Sequence, residues 1–274
     1  MNRSIERHSA GAHGRGHSPA ALVGAKRRSR FPGPRGFASE SEFDRILYGG
    51  RFPAASCRES SIDFRFLMTI DSDERGRLLM EEIQGKKQEI RTHMTDLLKG
   101  MPDEVRTAKT RAIEERLFDF ANFLEANIAL IYINTENEVS TRKIIKRALD
   151  YNKIIVLPAF KPEKRKVLLM KVDNPESQLR LGPRGVPEPD EAKCKKVPID
   201  CIDIAIVPGI AFDEKGARIG IGMGYYDRLI PDLPITTRKV SLAFEEQLLP
   251  QIPMEHHDKH IDIIVTDQRI IYKI

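Results

Sequence analysis

The chain has 274 residues, with 45 Lys and Arg against 40 Asp and Glu and a formal net charge of +5. Residues 1–38 alone carry +7, so the rest sums to −2 and the basic balance is poor evidence that the folded body binds nucleic acid. Three cysteines (Cys57, Cys194, Cys201) without metal-ligand spacing argue against a disulfide scaffold or zinc site, and no apolar run approaches ~18 residues, which argues against a membrane span.

Residues 1–75 form a basic tail rich in Gly, Ser, Pro and Arg, with no sustained apolar period. Such a segment buries too little surface to offset roughly 1–2 kcal/mol of backbone entropy per residue, so disorder is expected. Three origins compete: a start placed upstream of Met68 or Met80, an organelle transit peptide, or a nucleic-acid tail. A cytoplasmic setting is expected, with organellar targeting by the tail as the alternative.

From residue 76 to 274 the pattern is that of a single α/β domain. Glu81 to Lys99 carries Ile83, Ile90, Met94, Leu97 and Leu98 at helical spacing, and Gly100 supplies a stop. Pro102 and Asp103 open a second stretch, Glu104 to Ala126, with Val105, Ile113, Leu117, Phe118, Phe120, Phe123 and Leu124 for a buried face. IALIYI (128–133) reads as a buried strand, and Ser140-Thr141 offers an N-cap for the helix that follows. KIIVLPAF (153–160) and RKVLLMKV (165–172) read as paired strands, and Gly182 to Pro189 as a Pro-rich connector. DIAIVP (203–208), a glycine-dense loop, a short helix at Tyr225–Leu229, KVSLAF (239–244), IDIIVTD and RIIYKI complete the order. Strands alternating with helices predict a largely parallel central sheet flanked by helices.

The most informative stretch is PGIAFDEKGARIGIGMGYYDR, residues 208–228. Gly220, Gly222 and Gly224 alternate, so in an extended segment one side is bare backbone that phosphate oxygens can approach. The helix start after it favours anions. Neither the dinucleotide nor the P-loop glycine spacing is present, and a packed glycine-rich bend is the competing reading on spacing alone.

The whole string resembles the signature of the 5-formyltetrahydrofolate cyclo-ligase family, P-G-x-x-F-D-x-x-G-x-R-x-G-x-G-x-G-Y-Y-D. Lys87-x-x-x-Arg91, Glu138-x-x-Thr141 and HDKHIDIIVTD agree in order, and the resemblance covers about residues 80–274. It implies an α/β enzyme that uses ATP and Mg²⁺ to cyclise 5-formyltetrahydrofolate to 5,10-methenyltetrahydrofolate, releasing ADP and phosphate. It further implies ATP contacts from Lys87, Arg91 and the run Arg218, Ile219, Gly220, Ile221, Gly222, Met223, Gly224, Tyr225 and Tyr226. Arg218 and Tyr225 are the implied catalytic residues, and Ile133, Glu138 and Tyr225 the implied contacts to a reduced folate. Asp227 and Asp262 match the Mg²⁺ aspartates. A solvated basic helix face for Lys87 and Arg91, a helix cap for Thr141, and a polar loop for His256, His257 and His260 are the plainer readings beside these. Ile221 stands where the family carries a basic or aromatic residue, and Met223 where it carries lysine or glycine. A related enzyme acting on another formyl or amide compound, and a non-catalytic binding module, remain alternatives. A monomer without membrane or nucleic-acid partners is expected.

Overall fold

A computed structural model describes residues 72–164, 166–183 and 185–273. The readings of residues 1–71 lie outside the described residues. Helix α1 (Ser72–Lys99) starts four residues before the expected boundary at 76. It turns Lys87, Ile90, Met94 and Leu98 inward at helical spacing. Gly100 ends it, donating its N–H to Asp96 O at 2.9 Å.

Helix α2 (Asp103–Phe118) begins with Asp103 and Glu104, whose charges favour its N-terminus. The single stretch expected through Ala126 is in fact broken at Asp119–Phe120, and α3 (Ala121–Glu125) follows. The reason is packing. In an unbroken helix Phe118 and Phe120 lie about 200° apart and cannot share a face. The break buries Phe118, Phe120 and Phe123 together, with Phe118 and Phe123 edge to face at 5.1 Å. Val105 and Leu124, expected inside, are exposed.

Strand β1 (Ile128–Leu130) is shorter than the apolar run suggested. Beyond it the chain turns out as a loop, then enters α4 (Arg142–Asp150). β2 (Ile154–Lys161) pairs antiparallel with β3 (Lys166–Val172) over seven residue pairs, from Ile155↔Val172 to Lys161↔Lys166. After a single turn, α5 (Pro175–Gln178), the expected connector turns out to hold half a hairpin, β4 (Leu179–Leu181) with β5 (Pro187–Pro189). Prolines suit so small a ribbon because an edge residue need not donate to a ladder.

β6 (Lys195–Lys196), β7 (Ile204–Ile206), the ribbon β8 (Ala211–Phe212) with β9 (Arg218–Ile219), helix α6 (Tyr225–Leu229), β10 (Arg238–Ala243), β11 (Ile263–Thr266) and β12 (Ile270–Tyr272) complete the chain. Among the described residues eight strands form one sheet in the order β12-β11-β10-β7-β1-β2-β3-β6. The five strands from β11 to β2 are parallel, and at the edges β12 pairs antiparallel with β11, β3 with β2 and β6 with β3. The central strands are buried on both faces, which is why they read as continuous Ile, Val, Leu and Ala. Phe123, Phe212 and Phe244 are among the largest fully buried side chains.

Candidate active site

Four segments meet at one cleft: α1, the loop after β1, the glycine loop leading into α6, and residues 255–258. The glycines do not act as the flat ribbon expected. Residues 221–223 are bends rather than strand. Gly222 (φ +98°) and Gly224 (φ +62°) take backbone conformations that side chains disfavour, so the loop curls over the cleft. A Cβ on Gly220 would stand 3.1 Å from Arg218 Nη1, so that glycine makes room for the guanidinium.

Arg218 is 5% exposed. Its Nη2 donates to Asp227 Oδ1 at 2.8 Å, while its buried Nε has no hydrogen-bond partner. Burial lowers its pKa, which Asp227 only partly offsets. Asp227 Oδ1 also accepts weakly from Lys259 N at 3.4 Å. Tyr225 is buried with its ring edge to face against Phe160 at 4.8 Å, and Arg228 Cζ lies 5.4 Å from its centroid. Ile221 and Met223, 43% and 50% exposed, flank the curl.

From α1 come Gln84, Lys87 and Arg91. Lys87, expected on a solvated or phosphate-facing surface, is 4% exposed. Its Nζ meets Glu255 Oε2 at 2.6 Å and also contacts Asp258. Arg91 Nε donates to Gly220 O at 3.0 Å, so this cation grips the glycine loop itself. Burial lowers the Arg91 pKa against the opposing pull of Asp258 and Glu255.

The loop after β1 is tied by three bonds. Tyr132 OH donates to Val139 O (3.0 Å), Thr141 Oγ1 to Tyr132 O (2.7 Å) and Thr141 N to Asn134 Oδ1 (3.2 Å). Thr141 stands at the N-cap of α4 but makes no capping bond there; its hydroxyl points back into the loop. Glu138 is buried, its Oε2 accepting from Thr135 N and Oγ1 at 2.8 and 3.0 Å. Burial first, then the nearby Glu138 charge, pushes the Tyr132 phenol well above its ordinary pKa. Ile133 departs from expectation. It lines a separate groove between α4 and the β4–β5 hairpin, while Glu138 faces the cleft.

Asp262 also departs. Its Oδ2 accepts from Lys239 N at 2.9 Å and lies 3.5 Å from Lys239 Nζ, and it is not among the cleft-lining residues. It precedes β11, where the parallel strands begin, whereas Glu138 and Pro208 follow strands that have ended. The acids that join Asp227 in the cleft are Glu255 and Asp258. Composition alone does not mark them, although HDKHID already placed an acid and an imidazole side by side. Their hard oxygens suit Mg²⁺.

The cleft is lined by three cations (Lys87, Arg91, Arg218) and four carboxylates (Glu138, Asp227, Glu255, Asp258). Its formal balance is −1. Its volume is about 110 Å³, against roughly 300 Å³ or more for a small-molecule pocket. Gly222, Met223, Gly224, Tyr225, Asp227 and His257 also line an adjoining, more open groove of about 1060 Å³.

The chain is similar to known proteins over most of its described length. Residues 83–267 match the model of the 5-formyltetrahydrofolate cyclo-ligase family. A probable 5-formyltetrahydrofolate cyclo-ligase of Caenorhabditis elegans is 30% identical over 203 residues, covering 70% of this chain and 98% of its own. The 5-formyltetrahydrofolate cyclo-ligase of Mus musculus is 24% identical, covering 68% and 95%. The solved 5,10-methenyltetrahydrofolate synthetase of Aquifex aeolicus superposes with a TM-score of 0.60 at 29% identity, covering 68% and 92%.

Proposed function

This chain belongs to the 5-formyltetrahydrofolate cyclo-ligase family, and from that premise we propose how its cleft performs the ATP-dependent closure of 5-formyltetrahydrofolate to 5,10-methenyltetrahydrofolate. The formyl oxygen attacks the γ-phosphorus and ADP leaves. The neighbouring folate nitrogen then attacks the activated carbon, phosphate departs, and that nitrogen gives up its proton. Phosphate replaces an oxide that would not leave. The protein's part is positioning and charge stabilisation.

The buried Arg218, with Nε unpaired, is the observation that carries this reading. A guanidinium held dry beside a curled backbone presents its fork to phosphoryl oxygens. Lys87 exchanges its carboxylate partners for phosphate, and Arg91 holds the loop from Ile219 to Tyr226 in register through Gly220. Tyr225, braced by Phe160, gives the folate ring a fixed wall. Glu138 offers its carboxylate to the pterin N–H edge, and Ile133 contacts the part of the folate that extends towards α4. Mg²⁺, with Asp227 as a ligand and Asp262 outside the cleft, supplies counter-charge for a triphosphate entering a site whose own balance is −1.

Incubation with ATP, Mg²⁺ and 5-formyltetrahydrofolate tests the reading, since the methenyl product absorbs in the near ultraviolet. Arg218→Met should abolish product formation while leaving the fold intact. ATP turnover with other formyl or amide compounds and none with this folate would establish the alternative substrate reading, which Ile221 and Met223 on the loop motivate.

No helix among the described residues is long and apolar enough to cross a membrane. A cytoplasmic setting is the primary reading. The 5-formyltetrahydrofolate cyclo-ligase, mitochondrial, of Arabidopsis thaliana aligns with 82% of the chain, more than the described residues can supply. The name of that relative motivates organellar targeting by the tail as the alternative. Imaging of the full chain with a C-terminal tag distinguishes the two compartments.

A further inference from the structure

Asp213 and Gly216 belong to the signature string, yet neither lines the cleft. Both stand in the turn between β8 and β9, and Arg218 follows directly where that turn ends at Ala217. Asp213 is 2% exposed. Its Oδ1 accepts from Lys215 N at 3.0 Å and Ala217 N at 2.9 Å, and its Oδ2 from Ile252 N at 2.9 Å. A buried carboxylate is costly unless hydrogen bonds satisfy it, and three backbone N–H groups do so here. Gly216 makes a second tie, its carbonyl accepting from Ile261 N at 2.9 Å. With φ of +83° and Ile261 O where a Cβ would collide, that approach requires glycine. Residues 253–260 are thus held at both ends by one turn, and between those ends lie Glu255, His257 and Asp258 of the cleft.

We propose that Asp213 is a positioning residue for phosphoryl transfer, its carboxylate fixing Arg218 relative to the segment that carries Glu255 and Asp258. Oδ1 shapes the turn that delivers Arg218, and Oδ2 reaches the facing wall through Ile252. Arg218 Nη2 is held in turn by Asp227, whose Oδ1 also meets Lys259 N within the same segment. One carboxylate outside the cleft thereby sets the spacing of two walls, which Lys87 joins to α1. The guanidinium needs that setting, because a misplacement of about 1 Å costs on the order of 10²-fold in rate. The inference rests on Arg218 being the phosphoryl contact.

Initial rates of methenyl formation by the full chain, in a double-mutant cycle with Arg218→Lys, test the proposal. Asp213→Asn keeps the shape but turns an NH₂ group onto one of the backbone donors. It should lower kcat at least tenfold while the folate KM stays within twofold. On the Arg218→Lys background the same change should alter kcat less than twofold, because the fork it positions is already gone. Lys153→Met, which lines no part of the cleft, should lower Tm yet leave kcat within twofold, separating stability from positioning. Parental kcat in Asp213→Asn, a tenfold fall on both backgrounds, or an equal kcat loss in Lys153→Met overturns the proposal. If Asp213→Asn does not fold, Asp213→Glu takes its place: it keeps both acceptor oxygens but moves them by one methylene, and the same pair of outcomes decides. Parental kcat in Arg218→Lys would instead sink the phosphoryl reading of Arg218, which that variant decides alone.

Discussion

Thr141 distinguishes two readings of one residue. As an N-cap its oxygen would accept from the first turn of α4, and Asp would replace it at little cost. In the fold its hydroxyl instead donates to Tyr132 O at 2.7 Å, at a position with no solvent exposure. Thr141→Val keeps the shape and removes the donor, leaving a buried carbonyl unsatisfied at about 1–3 kcal/mol. For a folded body of this size each kcal/mol lowers Tm by roughly 2–4 °C, so a fall of about 2–12 °C is expected. Thr141→Asp should be worse, losing several kcal/mol, because an ionised carboxylate has no proton to give and faces a carbonyl oxygen in a dry site. The bond also closes the loop from Tyr132 to Thr141 that carries Glu138, so Thr141→Val should raise the folate KM more than the ATP KM. Urea denaturation and initial-rate kinetics on both variants measure these effects. Thr141→Asp matching the parent in stability would refute the back-bonded account and restore the cap.

Gly222→Ala should cost about 1–2 kcal/mol in thermal or urea unfolding, since φ of +98° is unfavourable for an L side chain although the nearest Arg91 atoms leave room at 3.9 Å. Arg218→Lys keeps the charge but loses the fork, so kcat should fall on the order of 10²-fold in the product assay; a change within twofold would remove Arg218 from the chemistry. At Glu255, burial pushes the carboxyl pKa up, but the Lys87 and Gln84 hydrogen bonds outweigh it and hold the group below its ordinary 4.5. Its contribution to stability is therefore complete above that value and lost as pH falls through the lower folded value. Glu255→Gln should flatten the acid limb of Tm against pH, and an unchanged limb would exclude the group. Lys153 Nζ donates to Leu124 O and Ala126 O at 2.9 and 2.6 Å while lying 5.1 Å from the Phe123 ring centroid, so Lys153→Met should destabilise by about 2–4 kcal/mol in urea.

Local chemistry was readable wherever the nearest neighbours in the chain decide the outcome. Gly100 closes α1 where its place just past the last apolar residue predicts, its N–H bonding back to Asp96 O. The Ile- and Val-rich strands announced a parallel sheet because burial on both faces admits little else. The glycine loop, with Arg218 and Asp227 at its ends, was visible as a motif, and its partnership with α1 followed from resemblance. What depended on distant contacts was not readable. Whether three nearby phenylalanines lie on one helix or two is settled by the core they fill, and that core exists only after folding. The commitment of Lys87 to Glu255 and Asp258 spans about 170 residues, and no local period encodes it. The same holds for Asp262. The resemblance implied a metal ligand there, but the neighbouring strand set its place, and the backbone of Lys239 already claims its oxygen. Sequence determined which groups were available, and tertiary packing determined which of them lost water together. The loss of water fixes charge pairing, because an exposed ion is nearly as content alone as paired, whereas a buried one must find its counterpart.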